Sequence, residues 1–234
     1  RQRAAPDGLA DDAGQADTAG QHEGEVAEHV PGVRDSEQAA LVGEIMVTGR
    51  LRDRRQQQRH DDAAGGHQAV SRFNADRLAD VDLQPFREFW FESSGGRRVH
   101  SWLALPPDFD ESRKYPLVLQ IHGGPFASSM DSQHVRWSAS LLAAPGYVVL
   151  MTDYTGSVGY GADFSRAIGG DPLKTPGQDL LEAAAAAIER YPFIDADRQA
   201  ATGASYGGHL VNWLQATTTH FKTLVGHAGL VDLE

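Results

Sequence analysis

Residues 202–209 read TGASYGGH and place Ser205 between Gly203 and Gly207 in the spacing G-x-S-x-G. This spacing allows a strand to turn sharply into a helix and leaves the serine hydroxyl exposed at the turn. A strand-like segment precedes Ser205, and a helix-like segment with small residues at its start follows it. The context favours a nucleophilic serine over an ordinary strand-to-helix turn, in which the glycines would serve the backbone alone.

Apolar runs and helical periodicity alternate on both sides of this turn. Residues 86–106 predict two strands joined by a Ser-Gly-Gly turn, with Phe89 and Phe91 on one face and Glu88 and Trp90 on the other. Further strands are predicted at 115–125, at 147–154, directly before Ser205 and at 222–228, and helices at 134–146, at 178–190 and after Ser205. The alternation predicts an α/β domain with a mostly parallel sheet, whose ligand site lies at the carboxyl ends of the strands.

The first 72 residues have a different composition from the rest of the chain. All 19 aromatic residues lie at or beyond Phe73, so this stretch lacks the side chains that bury most area. It contains nine arginines, thirteen acidic residues and no lysine. We predict that residues 1–72 are a low-complexity leader, either disordered or not native sequence, and that residues 73–234 form the folded domain.

Charge and composition exclude several classes of function. The net charge of −11 argues against a nucleic-acid partner, and the lack of cysteine excludes a disulfide framework, a thiolate metal site and a cysteine nucleophile. No apolar run approaches the roughly 18 residues of a membrane span, and no signal-peptide pattern follows Arg1. We expect a soluble piece of a longer product, with the oligomeric state and the choice between cytoplasm and periplasm left open.

The second motif, IHGGP at 121–125, ends a predicted central strand. A loop of this type turns a backbone N–H toward a substrate carbonyl and completes an oxyanion hole with the N–H of the residue after the nucleophile, here Tyr206. His122 and Gly123 are therefore candidate oxyanion residues. The alternative is a core histidine followed by a plain turn.

From about residue 71 onward the chain resembles the catalytic domain of the prolyl oligopeptidase family of serine peptidases, nearest to its acylaminoacyl-peptidase and dipeptidyl-aminopeptidase branch. Five motifs in order carry the resemblance: IHGGP, DYTGSVGYGADF (153–164), RYPFIDADR (190–198), GASYGGH (203–209) and HFKTLVGHAGLVDLE (220–234). It implies an α/β-hydrolase fold, Ser205 as nucleophile, Tyr206 as backbone oxyanion donor, and a loop bearing Tyr154 and Tyr160 beside the substrate pocket. It implies neither a metal nor a cofactor.

The sequence departs from the family pattern beside the site. Thr155 stands where an arginine is usual, Ala204 replaces a common tryptophan, and His209 replaces a common tyrosine. The resemblance puts the triad acid and the base histidine after later strands, so we expect both to be absent from this chain and the fold to be truncated at its carboxyl end. Asp232 is only a weak candidate for the acid.

The leading functional hypothesis is a serine peptidase that acts on short peptides and removes dipeptides or acylated residues through an acyl-enzyme. A carboxylesterase of the same fold is the alternative among enzymes, and a non-catalytic relic is the alternative outside them. We further expect a chain of this extent to be unstable or inactive alone, because a sheet that stops after the strand at 222–228 leaves an unpaired edge.

Overall fold

The structure is a computed structural model that describes residues 75–130 and 136–230. The predicted leader at 1–72 and the candidate Asp232 lie outside the described residues. Within the described ranges, no helix is both long and apolar enough to cross a membrane.

Six strands form one sheet in the order β1-β2-β4-β3-β5-β6. The hairpin strands β1 and β2 are antiparallel to each other, and β2 is antiparallel to β4, whereas the pairs β4–β3, β3–β5 and β5–β6 are parallel. The strands are β1 (Arg87–Glu92), β2 (Arg98–Ala104), β3 (Tyr115–Ile121), β4 (Val148–Asp153), β5 (Ile194–Ala204) and β6 (Thr223–His227). The carboxyl ends of β3, β4 and β5 therefore meet at one edge of the sheet, as the α/β prediction requires.

Five helices accompany the sheet in the described ranges: α1 (Ala75–Leu78), α2 (Ala139–Ala143), α3 (Ala162–Arg166), α4 (Lys174–Arg190) and α5 (Tyr206–Thr217). The two long ones, α4 and α5, bury residues such as Leu180 and Leu214 against Leu119 of β3. The short α2 packs on the opposite face of the sheet, where Ala143 meets Val149. β4 is buried at every position, as a central strand covered on both faces must be.

Two predicted helices differ from the observed ones, and each difference has a local cause. Residues 134 and 135 of the helix predicted at 134–146 lie outside the described residues. In the rest of that range the helix is Ala139–Ala143, because Trp137 has a positive φ of 56° and the Ser138 hydroxyl caps the helix by accepting from Leu141 N–H. The helix predicted at 178–190 begins earlier, at Lys174, because the Asp171 carboxylate accepts hydrogen bonds from the amides of Lys174 and Thr175.

The β1–β2 hairpin has the predicted faces. Phe89 is buried in the main core and Phe91 packs against it, while Glu88 and Trp90 are exposed on the other face. The turn is closed by the amide of Ser93 donating to Arg97 O at 2.8 Å. The hairpin lies at the edge of the sheet beside β4, so the side chains of its outer face reach the end of that strand.

Candidate active site

Ser205 occupies a strained turn between β5 and α5. Its φ and ψ are 56° and −122°, a left-handed conformation that costs a non-glycine residue on the order of 1–3 kcal/mol. The turn is held by two backbone bonds, from Ser205 N–H to His227 O at 2.9 Å and from His209 N–H to Ser205 O at 3.0 Å. Ser205 is exposed, so the strain presents its hydroxyl at the surface.

The glycines around Ser205 are required by close backbone approach. A Cβ atom on Gly207 would lie 2.3 Å from Ile121 O, and one on Gly203 would lie 2.5 Å from the carbonyl carbon of Gly207. Neither contact is possible for a real side chain. The elbow, which we define as residues 203–207, is therefore positioned by direct contact between the backbones of β5, α5 and the end of β3.

Tyr206 is the first residue of α5, and its backbone N–H is among the first amides of the helix, which have no acceptor within it. The partial positive charge at a helix N-terminus favours a developing anion beside Ser205. The tyrosine side chain points away to a different partner, donating to Pro172 O. Burial raises the pKa of the Tyr206 phenol to about 12, so that side chain is a neutral hydrogen-bond donor near neutral pH.

The loop after β3, residues 122–130, is called the post-β3 loop. A Cβ atom built on Gly123 would lie 3.0 Å from Ala204 O and 3.3 Å from Ser205 Cβ. The loop backbone thus lies directly against the elbow. The structure brings together Ser205, the start of α5 and Gly123, which are the candidate nucleophile and the two candidate oxyanion segments.

The His122 ring faces the interior of the protein. Its Nδ1 atom lies 2.8 Å from Gly123 O, its Nε2 atom lies 3.0 Å from Ser157 Oγ, and the ring stacks on Tyr154 at 4.3 Å. Burial lowers the pKa of His122, which favours the neutral ring. A proton on Nδ1 satisfies the contact with Gly123 O, because a carbonyl only accepts. Of the two predicted roles, these contacts favour shaping the loop over donation to substrate through the ring.

The two tyrosines predicted to border the substrate pocket lie in different surroundings. Tyr154 is fully buried and donates to His122 O at 2.8 Å, so it supports the post-β3 loop from inside and does not face a substrate. Tyr160 is half-buried, donates to Asp153 and packs against the rings of Trp90 and Phe164. Direct contact with substrate is therefore not supported for Tyr154, and it stays a prediction for Tyr160.

A cleft of about 450 Å³ opens beside the elbow on the α2 side of the sheet. Its walls include Gly123 and Ala204, which flank Ser205, and the described residues Arg136 and Trp137. Gln120 forms part of the floor and donates to Trp137 O at 2.5 Å. The cleft combines apolar walls with the Arg136 guanidinium and the Gln120 amide, a mixture that is usual in sites for small molecules.

Sequence reasoning missed Asp153, the last residue of β4. It is fully buried, accepts hydrogen bonds from Ser129 N–H and from the Tyr160 hydroxyl, and lies 3.1 Å from His100 Nδ1. The sequence feature that could have pointed to Asp153 is its place at the carboxyl end of a predicted buried strand. Its partners come from distant parts of the sequence, which local patterns do not connect.

The other histidines near the elbow have local roles. His209 Nδ1 contacts Leu230 O, and the His227 ring packs against Trp137 at 5.5 Å. The Ser205 hydroxyl forms no hydrogen bond with any residue in 75–130 or 136–230. In those same ranges, no group of three His, Asp or Glu side chains is arranged to hold a metal ion.

Comparison with known proteins gives consistent relatives. The sequence model of the prolyl oligopeptidase family matches residues 133–234 of this chain. Dipeptidyl-peptidase 5 of Schizosaccharomyces pombe is 37% identical over 155 residues, which are 64% of this chain and 23% of that protein. A probable dipeptidyl-peptidase 5 of Aspergillus clavatus is 41% identical over 153 residues, 64% of this chain and 20% of that protein. This chain thus spans about a fifth of the length of these curated relatives.

Solved structures agree with the fold. An acylaminoacyl peptidase in complex with Z-Gly-Gly-Phe-chloromethyl ketone matches with a TM-score of 0.63 and 26% identity, over 71% of this chain and 26% of that one. Pyrococcus horikoshii acylaminoacyl peptidase matches with a TM-score of 0.64 and 24% identity over the same shares. The α/β-hydrolase sheet, the strained serine elbow and these matches make the chain similar to the prolyl oligopeptidase family, to dipeptidyl-peptidase 5 and to acylaminoacyl peptidase.

Proposed function

We propose that Ser205 is the nucleophile of a serine peptidase that hydrolyses short peptides through an acyl-enzyme, releasing dipeptides or acylated residues from their N-termini. One observation carries the proposal: an exposed serine is held in a left-handed turn at the start of α5, with the backbone of Gly123 beside it. The relatives named dipeptidyl-peptidase and acylaminoacyl peptidase support the choice of substrate class.

The geometry supports attack on a planar carbonyl. When Ser205 Oγ adds to the carbonyl carbon, negative charge develops on the carbonyl oxygen, and the Tyr206 N–H and a backbone N–H of the post-β3 loop are the donors proposed to stabilise it. Removal of one such donor typically costs roughly a hundredfold to a thousandfold in turnover. The proton of Ser205 needs a base, which in this architecture is a histidine oriented by an acid. Neither is bonded to Ser205 within 75–130 and 136–230.

The first test uses the complete protein and not this chain alone, because Ser205 needs a base to react. It is covalent labelling with a fluorophosphonate, followed by identification of the labelled peptide by mass spectrometry. We expect label on Ser205, none in Ser205→Ala, and wild-type labelling in Ser165→Ala, which removes a hydroxyl bonded only within α3. Equal labelling of the wild type and Ser205→Ala would contradict the proposal. A labelled protein that prefers aryl esters over aminoacyl amides would instead be the carboxylesterase.

A further inference from the structure

Asp153 is a buried carboxylate with partners on both oxygens. Oδ1 accepts a 2.6 Å hydrogen bond from Ser129 N–H, and Oδ2 accepts one from the Tyr160 hydroxyl. The carboxylate is fully buried, and a buried charge without partners is strongly destabilising. The short bond to Ser129 is charge-assisted, so it is stronger than an ordinary amide bond to a neutral acceptor.

Two histidines face Asp153. His122 Nε2 lies 3.8 Å from Oδ1, and burial lowers the pKa of His122, which favours its neutral form. His100 of β2 lies 3.1 Å from Oδ2 through Nδ1 and 3.4 Å from Glu88 of β1 through Nε2. His100 Nδ1 also lies 2.9 Å from the Tyr160 hydroxyl, so His100 and Tyr160 hold Oδ2 of Asp153 between them.

The partner of Asp153 belongs to the loop that reaches Ser205. Ser129 lies near the far end of the post-β3 loop, and Gly123 at its near end lies against the elbow. In between, Ala127 O accepts a 3.0 Å bond from Val158 N–H of the loop after β4. The post-β3 loop is thus held at one end by backbone contact with the elbow and at the other by a buried carboxylate.

We propose that Asp153 is a positioning residue for the post-β3 loop, that it acts through its charge, and that the His100 ring holds its carboxylate in place. The catalytic consequence rests on the proposed function, since the loop carries a proposed oxyanion donor. The mechanical consequence, protection of the loop amides, does not rest on it.

The mechanical consequence is tested by hydrogen–deuterium exchange on the full chain. Asp153→Asn keeps the shape of the side chain and removes its charge, so we expect amides within 122–130 to exchange about tenfold faster, the effect of a charge-assisted bond reduced to a neutral one. The matched control is Asp195→Asn, which removes a carboxylate that accepts from Asp197 N–H at the opposite end of the sheet. Wild-type protection of the loop in Asp153→Asn would overturn the inference.

The catalytic consequence is tested with the fluorophosphonate, separating the maximal rate of labelling from the concentration that gives half of it. We expect Asp153→Asn to lower the maximal rate about tenfold and to leave the half-saturating concentration unchanged, because the loop donor acts on the developing charge. Asp195→Asn should match the wild type in both. A merely structural loss of folded protein would reduce the amount labelled and not the rate constant.

The two failures are distinguishable. If the wild type is not labelled at Ser205, the proposed function fails while the exchange experiment still decides the inference. If the wild type is labelled and Asp153→Asn is labelled at the same rate, the inference fails alone. Should Asp153→Asn not fold, His100→Asn carries the same test, because it leaves the carboxylate and removes the ring that lies against Oδ2. Unchanged loop exchange in that variant would overturn the inference.

Discussion

The elbow and the post-β3 loop lie against each other at the site, yet they are fixed by different forces. The elbow is held by backbone contacts that leave no room for a Cβ atom at Gly203 or Gly207. The post-β3 loop is held by buried polar contacts, from His122 to Ser157 and from Ser129 to Asp153. Contact between backbones does not change with pH or charge, whereas hydrogen bonds to ionisable groups do. The position of Ser205 is therefore insensitive to pH and charge, whereas that of the loop beside it depends on them.

The largest effect is expected from a substitution that disrupts the backbone contacts of the elbow. Gly207→Ala places a methyl group 2.3 Å from Ile121 O, and backbone atoms give way less easily than side chains. We expect the free energy of unfolding to fall by at least about 3 kcal/mol, measured by urea titration. Gly226→Ala is the control, since its nearest neighbour is Asn212 Oδ1 at 3.4 Å. Similar losses in both variants would show that close backbone approach does not fix the elbow.

The next largest effect concerns the post-β3 loop and is the dependence of folding stability on pH. Burial lowers the pKa of His122 in the folded protein, so as the pH falls through the unfolded value near 6.5 the unfolded chain takes up a proton that the folded chain resists. Folding stability should then decrease with falling pH by up to about 1.4 kcal/mol per unit from this group.

His122→Asn removes this contribution while keeping an amide that can donate to Gly123 O. Its urea-unfolding stability should therefore depend less on pH between 7 and 5 than that of the wild type. Parallel pH profiles for the two proteins would mean that burial does not lower the pKa of His122. The contacts of the loop would then depend on pH no more than those of the elbow.

The smallest effect is expected from relieving the backbone strain at Ser205. Ser205→Gly removes the side chain that makes a φ of 56° costly, so we expect the free energy of unfolding to rise by about 1 kcal/mol. Ser205→Ala keeps a Cβ atom and should show no comparable gain. Both lose fluorophosphonate labelling, so the difference between them in thermal unfolding isolates the backbone strain. Equal stability of the two variants would show that the turn stores none.

The parts of the fold that sequence patterns predict are those set by local rules. Period-2 alternation predicts the faces of the β1–β2 hairpin, including buried Phe89, and an unbroken apolar run predicts buried β4. The start of α4 was missed because Asp171, three residues upstream, caps it. The short α2 was missed because Trp137 adopts a left-handed backbone that its residue type does not suggest.

At the site, the glycine spacing predicts the turn at Ser205, because glycines at 203 and 207 allow the close backbone approach that a sharp strand-to-helix turn needs. The roles of Tyr154 and Asp153 could not be predicted in this way. Tyr154 follows a buried strand directly, and whether its ring faces out or in depends on packing against His122. Asp153 meets His100 only because β2 and β4 pair in that register. Contacts across strands are set by tertiary pairing, which a local pattern does not contain.

The approach of Gly207 to Ile121 has a consequence for the order of folding. Ile121 and Gly203 are paired neighbours in the sheet although about 80 residues separate them along the chain, so their contact forms only after β3 and β5 have met. Until then nothing holds Ser205 in its unfavourable conformation. During refolding, Ser205 should therefore reach its strained conformation later than the far-ultraviolet signal of helices and strands appears. The delay would measure the time that β3 and β5 need to pair.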